Sequence, residues 1–453
     1  MDLDQLRKQA KELVRAARAG EPDALARLGG REPILARAQL VVAREHGYAS
    51  WPRLVAAAEA GADAFVVAAT EDRRARAEAM LEARPELADD PWVRLVLGRG
   101  WDGDPNEPGG PRGWPPLNYA CQSVFAPRGL VRELLERGAD PNSTYTNEYG
   151  PMSALYGAAG IVHDPETTRL LLEHGADPDD NESVYHSTEA ESTECLRLLL
   201  EHGARTRGTN ALAHALDDER EEHVRLLLEA GAPADEGSLI AHAVRRGRGP
   251  AFIRLLAEHG ADVDRPGGET WRGEVPLRTP YQHAVLRNRD DVAAELERLG
   301  ASTEVSDVDR AVAAVARGER AALPSELDVD QQEVLILAAV QGQVDAVVDA
   351  VGVGFTGVVG GSPEGTLLHA AAWFGDADTV RTLLARGADP RAKSGAYFET
   401  PLAWAVHASH TRGADRREIG EVLLAAGAEI EPRFLDAAEG PLLELLQEAG
   451  LAD

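Results

Sequence analysis

The chain has 453 residues, a formal net charge of −29 and 44% hydrophobic residues, of which few are aromatic. That charge excludes the usual duplex-DNA binder, which neutralises phosphates with Lys and Arg, and it disfavours an anionic membrane surface. Two cysteines, Cys121 and Cys195, are too few for a disulfide framework or a Cys-rich zinc site.

Residues 1–60 open with MDLDQLRKQAKELVRAARAG. The segment is charged throughout and lacks the apolar stretch of a secretory signal, and no run of about 18 apolar residues is seen anywhere. A cytoplasmic protein is therefore expected. Leu3, Leu6, Ala10, Leu13, Val14 and Ala17 form a helical stripe that predicts an N-terminal helical cap. DAFVVAATEDRRARAEAMLEARPEL then reads as a helix pair without a Gly-Ala ending. The Gly/Pro-rich 101–116 is a long loop, and WPPLNYACQSVF (114–125) a short first helix. LLERGADPN, ending at Asn142, is the first clear copy of a unit that recurs as LLEHGADPD, LLEHGART, LLEAGAPAD and LAEHGADVD. Residues 263–280 form a second long loop. DVDRAVAAVARGERAALPSEL, near 306–325, reads as a degenerate helix pair. GVGFTG (352–357) matches a dinucleotide fingerprint. A second helix precedes it where that fingerprint needs a strand, so a loosened Gly-Ala turn is expected. GTLLHAAAWFGDADTVRTLL (365–384) and ETPLAWAV (399–406) repeat the first-helix pattern, and LLARGADPR and LLAAGAEIE the second. In each copy, paired Leu residues pack on the next unit while Gly takes the positive φ that ends the helix.

The combination of a T-P-L-H-x-A-A-like first helix with Leu-Leu-x-x-Gly-Ala at a fixed offset resembles the ankyrin repeat. The resemblance implies an all-α, ankyrin-repeat solenoid of about ten to eleven helix-turn-helix repeats, several of them degenerate. The expected layout is a cap over 1–60, repeats over 61–305 with short-fingered repeats at 183–260, and a second block over 306–453 ending in a C-terminal cap. The layout is also similar to bacterial ankyrin proteins that open with a comparable helical segment, a resemblance that supplies no activity.

Spacing departs from the usual period of about 33. The repeat-ending glycines 138, 175, 203, 231, 260 and 300 are separated by 37, 28, 28, 29 and 40 residues. Repeats ending at 203, 231 and 260 have thus lost most of their finger loops, and an open floor edged by long loops is expected there. His186, His214 and His283 each lie 17 residues before a repeat-ending glycine, and His242 lies 18 before Gly260. Glu189 and Asp217 follow the first two histidines by three residues, which places each pair on one helix face. Arg245 and Arg287 follow the other two. A carboxylate beside an imidazole orients it and raises its basicity, as acid/base chemistry needs. Ankyrin helices also use polar residues here in inter-repeat hydrogen-bond ladders, so the row has a structural reading as well.

The resemblance implies a binding module, a protein–protein interaction scaffold working through its groove and fingers. The partner is a protein or peptide, and a basic one suits the charge. The alternative is a small-molecule binder or enzyme using the 183–290 segment, with His186, Glu189, His214 and Asp217 as its chemistry. Tyr185, His186, Glu189, Asn210, His214, Asp217, His242, Arg245, Trp271, Arg272, His283 and Arg287 are the candidate contact residues. No metal site, cofactor, nucleic acid or membrane is expected.

Overall fold

The computed structural model describes residues 3–29, 33, 35–180, 182–268, 277–357, 364–375, 377–394, 399–411, 415–431, 433–434, 438 and 440–450. Contacts divide the chain into two compact units, Met1–Pro233 and Ala234–Asp453.

The first unit opens with helices Leu3–Arg18, Pro22–Arg27, Leu35–Glu45 and Trp51–Glu59. The stripe predicted on the first of them is buried from Leu6 to Ala17, against Ala38, Val42 and Leu54. Trp51–Glu59 packs on Arg74–Ala83, which joins this four-helix start to the first helix pair, Ala62–Ala69 and Arg74–Ala83. A short helix, Pro91–Val96, then packs between Ala62–Ala69 and Pro116–Cys121. Four pairs follow. Their second helices are Arg128–Glu136, Pro165–Glu173, Glu194–Glu201 and Glu221–Glu229.

Each of these four second helices ends in the same way. Gly138, Gly175, Gly203 and Gly231 hold φ between 85° and 91°. The following Ala sends its N–H back to the carbonyl five residues earlier, at 2.9–3.0 Å, as in Ala139 to Leu134 and Ala204 to Leu199. This double-back satisfies carbonyls that the helix end would otherwise leave open, and it buries the Ala methyl. The loops are laced together by a side-chain ladder. Asn142 Nδ2 donates to the Gly175 carbonyl at 3.0 Å, and its Oδ1 accepts from Asp177 N at 2.7 Å. Asn106 repeats the pattern one unit earlier on Gly138 and Asp140. Asn142, which heads a glycosylation-like Asn-Ser-Thr, is therefore engaged in joining repeats.

The long finger 101–116 folds onto aromatic rings. Trp114 is buried and stacks on Tyr145 at 3.8 Å, with Tyr119 at 5.1 Å. Gly109 and Gly110 pass so close to Trp92 that a Cβ on either would sit 2.6–2.8 Å from its ring. The next finger is an antiparallel hairpin, Thr144–Asn147 with Gly150–Ser153, in register Thr144 to Ser153. It runs directly into the first helix of its repeat.

In the second unit the pairs are Leu239–Arg245 with Pro250–Glu258, and Pro280–Leu286 with Asp290–Arg298. After the interruption described below come Val329–Ala338 with Val344–Val351, Leu367–Phe374 with Ala377–Ala385, and Pro401–Thr411 with Arg417–Ala425. Gly440–Gly450 closes the described chain. The degenerate unit near 306–325 departs from the expected helix pair. It has one helix, Asp307–Ala316, and residues 319–328 run on without a second. Pro324 lies where an inner turn would need its N–H, and Gly318 at φ 87° turns the chain away. Ala321, Leu323 and Leu327 pack against the core from this extended segment. Val329–Val351 reaches membrane-spanning length and mean hydropathy, although Gln341, Gln343, Asp345 and Asp349 interrupt it and no unbroken run of about 18 apolar residues occurs. Gly342, at φ 104°, breaks it into two helices that pack on each other, with Leu335, Ile336, Val347 and Val348 in the core. The fingerprint-like 352–357 begins where Gly352, at φ 85°, ends a helix, and Thr356–Gly357 pairs with Gly365–Thr366. That is a helix-ending turn followed by a finger, as expected.

Candidate functional site

In the first unit the short first helices bring four rings into a row. Tyr156 ends Ala154–Tyr156, Tyr185 and His186 end Ser183–His186, and His214 lies within Ala211–Asp217. Ring centroids are 5.2 Å apart for Tyr156–His186, 4.9 Å for Tyr185–His186 and 4.1 Å for Tyr185–His214. The first two contacts are edge-on and the last is stacked, at 28°. Gly160, in the π-helical turn Gly157–Ile161, makes the close approach possible. A Cβ there would stand 2.8 Å from His186 Cβ and 3.0 Å from the Tyr156 ring.

Glu189 bonds one imidazole and lies near the other. Its Oε1 accepts from His186 Nδ1 at 2.8 Å and lies 3.9 Å from His214 Nε2. Thr188 Oγ1 donates to the Tyr185 carbonyl at 2.7 Å, so it is the acceptor for His214 Nδ1 at 2.9 Å. In the neutral His214 ring, the proton therefore sits on Nδ1. His186 Nε2 faces Glu182 Oε2 at 3.4 Å. The His186 side chain is 26% exposed, His214 17% and Glu189 39%, so the row is open to solvent along one edge. Burial first, then the charges of Tyr145, Glu182 and Glu189, push the Tyr156 hydroxyl up to about 12. Burial also raises Tyr185, with Glu189, Asp217, Asp218 and Glu182 adding to it.

The other predicted residues fall elsewhere. Asp217 is half-buried at the end of the His214 helix, and Asn210 precedes that helix at φ 59° without a side-chain cap bond. Their positions are on the same repeat as His214. His242 and Arg245 lie half-buried on Leu239–Arg245 in the second unit. Trp271 and Arg272 lie outside the described residues. His283 is fully buried: Nε2 donates to the Gly267 carbonyl at 2.8 Å, and Nδ1 accepts from Arg287 at 3.1 Å. Burial, and then Arg287, hold its pKa well below the ordinary imidazole value. His369 is bound in the same internal way, between Thr366 and the Glu399 carbonyl. Equal spacing in the sequence thus covers two environments, an open one at His186 and His214 and a sealed one at His283.

Sequence reasoning missed Tyr156, Glu182 and Thr188. Tyr185 lies 18 residues before Gly203, while Tyr156 lies 19 before Gly175. The π-helical turn holds the extra residue and hides the shared register. Also missed was a buried charge network in the second unit. Arg278 is paired with Asp309 at 2.9 Å, Asp328 at 2.5 Å and Asp330 at 3.3 Å, and Arg287 reaches Asp330 at 3.2 Å. Burial works against charge on Asp309 and Asp330, but Arg278 at the first and Arg287 at the second more than offset it and hold both below the usual carboxylate range. This network ties the single helix Asp307–Ala316 and the start of Val329–Ala338 to the preceding finger. Cys121 and Cys195 are buried; burial raises both thiols, Cys195 to about 11. Among the described residues, no group of three or more His, Cys, Asp or Glu is placed to hold a metal ion.

Residues 155–237 match the family model described as ankyrin repeats in three copies, and residues 365–395 match the one described as ankyrin repeat. Among solved structures, the ankyrin repeat domain of Bcl-3, described as a unique member of the IkappaB protein family, is 27% identical. That match covers 41% of this chain and 86% of the other, with a TM-score of 0.33. An ankyrin repeat domain from Acinetobacter baumannii AYE is 23% identical over 41% of this chain and 98% of the other, with a TM-score of 0.35. No curated protein matches the chain.

Proposed function

Starting from an ankyrin-repeat protein, we propose that this chain works as a protein-binding module, and that the first unit holds the contact surface. Ankyrin repeats are generally protein–protein interaction modules. The observation that carries the assignment to the first unit is the open ring row, with the hairpin finger leading into it. Tyr149, at the hairpin tip, is 81% exposed. Tyr side chains combine a large apolar face with a hydrogen-bonding end and lose little entropy when fixed, which suits them as interface anchors.

The acid/base alternative has the 2.8 Å His186–Glu189 pair in its favour. That carboxylate lies at the open surface, however, where solvent screens the very fields that chemistry would use. His283 spends both ring nitrogens inside the fold. The geometry therefore favours binding over catalysis.

Replacing Tyr149 with a photocrosslinking residue and irradiating the full chain in native lysate tests the assignment. Protein-sized adducts are expected, and they should disappear when Tyr156→Ala and Tyr185→Ala are added. Absence of adducts, or adducts unaffected by those two changes, would overturn it.

A further inference from the structure

We infer that the Tyr156–His186–Tyr185–His214 row, with Glu182 and Glu189 beside it, receives an arginine side chain from the partner protein. The inference rests on the protein-binding reading above and adds the chemistry of the bound group.

Charge is the first argument. The carboxylates acting on the two tyrosines are Glu182 and Glu189, joined at Tyr185 by Asp217 and Asp218. The arginine of the next repeat, Arg220, sends Nη2 to the Glu189 backbone carbonyl at 3.3 Å and leaves the carboxylate alone. Open bonding capacity is the second argument. The hydrogen bond described for the Glu189 side chain falls on Oε1, and that side chain is 39% exposed. Glu182 is held at the longer distance of 3.4 Å from His186. Among the described residues, no hydrogen bond is made to the Tyr156 or Tyr185 hydroxyl. Both hydroxyls stay protonated at neutral pH, so each can donate to a carbonyl of a bound segment.

The rings decide between arginine and lysine. A guanidinium is planar, stacks on aromatic faces and forks onto a carboxylate, whereas an ammonium is a compact and strongly hydrated point charge. A row of four rings edged by two carboxylates offers stacking and a charge-assisted hydrogen bond in one place. An ammonium could use the second and be drawn to a ring face as a point charge, but it can neither stack flat nor fork.

The test is selection of random short peptides displayed on phage against the full chain, followed by affinity measurements on three proteins. These are the parent, the double variant E182Q/E189Q, and the control E201Q/E229Q, which loses the same charge from two exposed residues at second-helix ends. Arginine-bearing peptides should be enriched, and should lose about tenfold in affinity in E182Q/E189Q and under about twofold in the control. Arginine-to-lysine exchange in the peptide should cost affinity in the parent, and less in Tyr185→Leu. Equal loss in both double variants would mean diffuse attraction to an acidic chain and would overturn the inference. Enrichment of uncharged peptides that still depend on Tyr156 and Tyr185 would overturn it too, while leaving the protein-binding reading standing. If no peptide of any charge binds the row, this inference fails together with that reading. Circular dichroism of each variant, expected to match the parent, keeps misfolding from passing as lost binding.

Discussion

Gly160 shows how one residue sets the ring row. Its neighbours leave no room for a methyl group, because His186 Cβ would stand 2.8 Å away and the Tyr156 ring 3.0 Å away. Gly160→Ala should therefore either unstack the row or shift the π-helical turn, at a cost of about 1–3 kcal/mol typical of overpacking. Urea denaturation should show the lower stability, and tyrosine fluorescence the altered row. A midpoint and a spectrum identical to the parent's would mean the row does not depend on that approach. The same residue explains why the site was only half legible in sequence. His186 and His214 were found by counting back from glycines, Glu189 by its three-residue step from His186, and Tyr185 as the neighbour of that histidine. Tyr156 escaped because a helix with one added residue breaks the count, and Thr188 because a hydroxyl reaching across to the next repeat leaves no periodic trace.

Among elements, the interrupted unit at 307–328 has the most to explain. A solenoid is stable because each unit covers the apolar face of its neighbour. Here the second helix is missing, and an extended segment with Ala321, Leu323 and Leu327 takes its place. The polar part of the gap is closed by Arg278, which bridges three carboxylates from below the surface. A buried charge that loses its partner is costly, and removing Arg278 leaves Asp309, Asp328 and Asp330 facing one another. Arg278→Ala should thus destabilise the second unit by about 3–5 kcal/mol. Arg278→Lys should recover only part of this, since a point charge cannot fork toward three carboxylates at once. Denaturant midpoints of the three proteins provide the check, and an Ala variant as stable as the parent would show that the network is dispensable. Capping follows simpler rules. Thr366 accepts the His369 N–H, and His369 Nδ1 in turn bonds Thr366, so the helix start at 367 is closed by the residue types that the signature pattern predicts.

For the whole molecule, acid should be the sensitive direction. His283, His369 and His223 are all held below the ordinary imidazole value, each chiefly by burial. In the unfolded chain they take up protons as pH falls past about 6.5, while the folded chain does not. The unfolded state then binds more protons, so stability rises with pH across that window and is lost as pH falls toward the depressed folded values. The urea midpoint should be lower at pH 5 than at pH 7.5, and His283→Gln should flatten the difference. A midpoint unchanged between those two pH values would contradict the assignment of these rings as neutral and buried.

Sequence alone determined the repeat: where second helices end, which glycines turn the chain, and which leucines face inward. Those features recur at fixed offsets because each copy solves the same local problem of ending a helix and covering its neighbour. Tertiary structure decided which histidines are open and which are sealed, and where a half-unit replaces a pair. His186 and His283 share a position relative to their glycines, yet one ring lies against Glu189 at the surface and the other is enclosed by Gly267 and Arg287. Part of the difference is local, since Glu189 lies three residues beyond His186 and Arg287 four beyond His283, and part comes from the finger carbonyl of Gly267 and the helices that carry Arg245 and Asp330, whose approach no local spacing encodes. The same holds for Arg278, which meets Asp309, Asp328 and Asp330 only once the chain has folded back on itself.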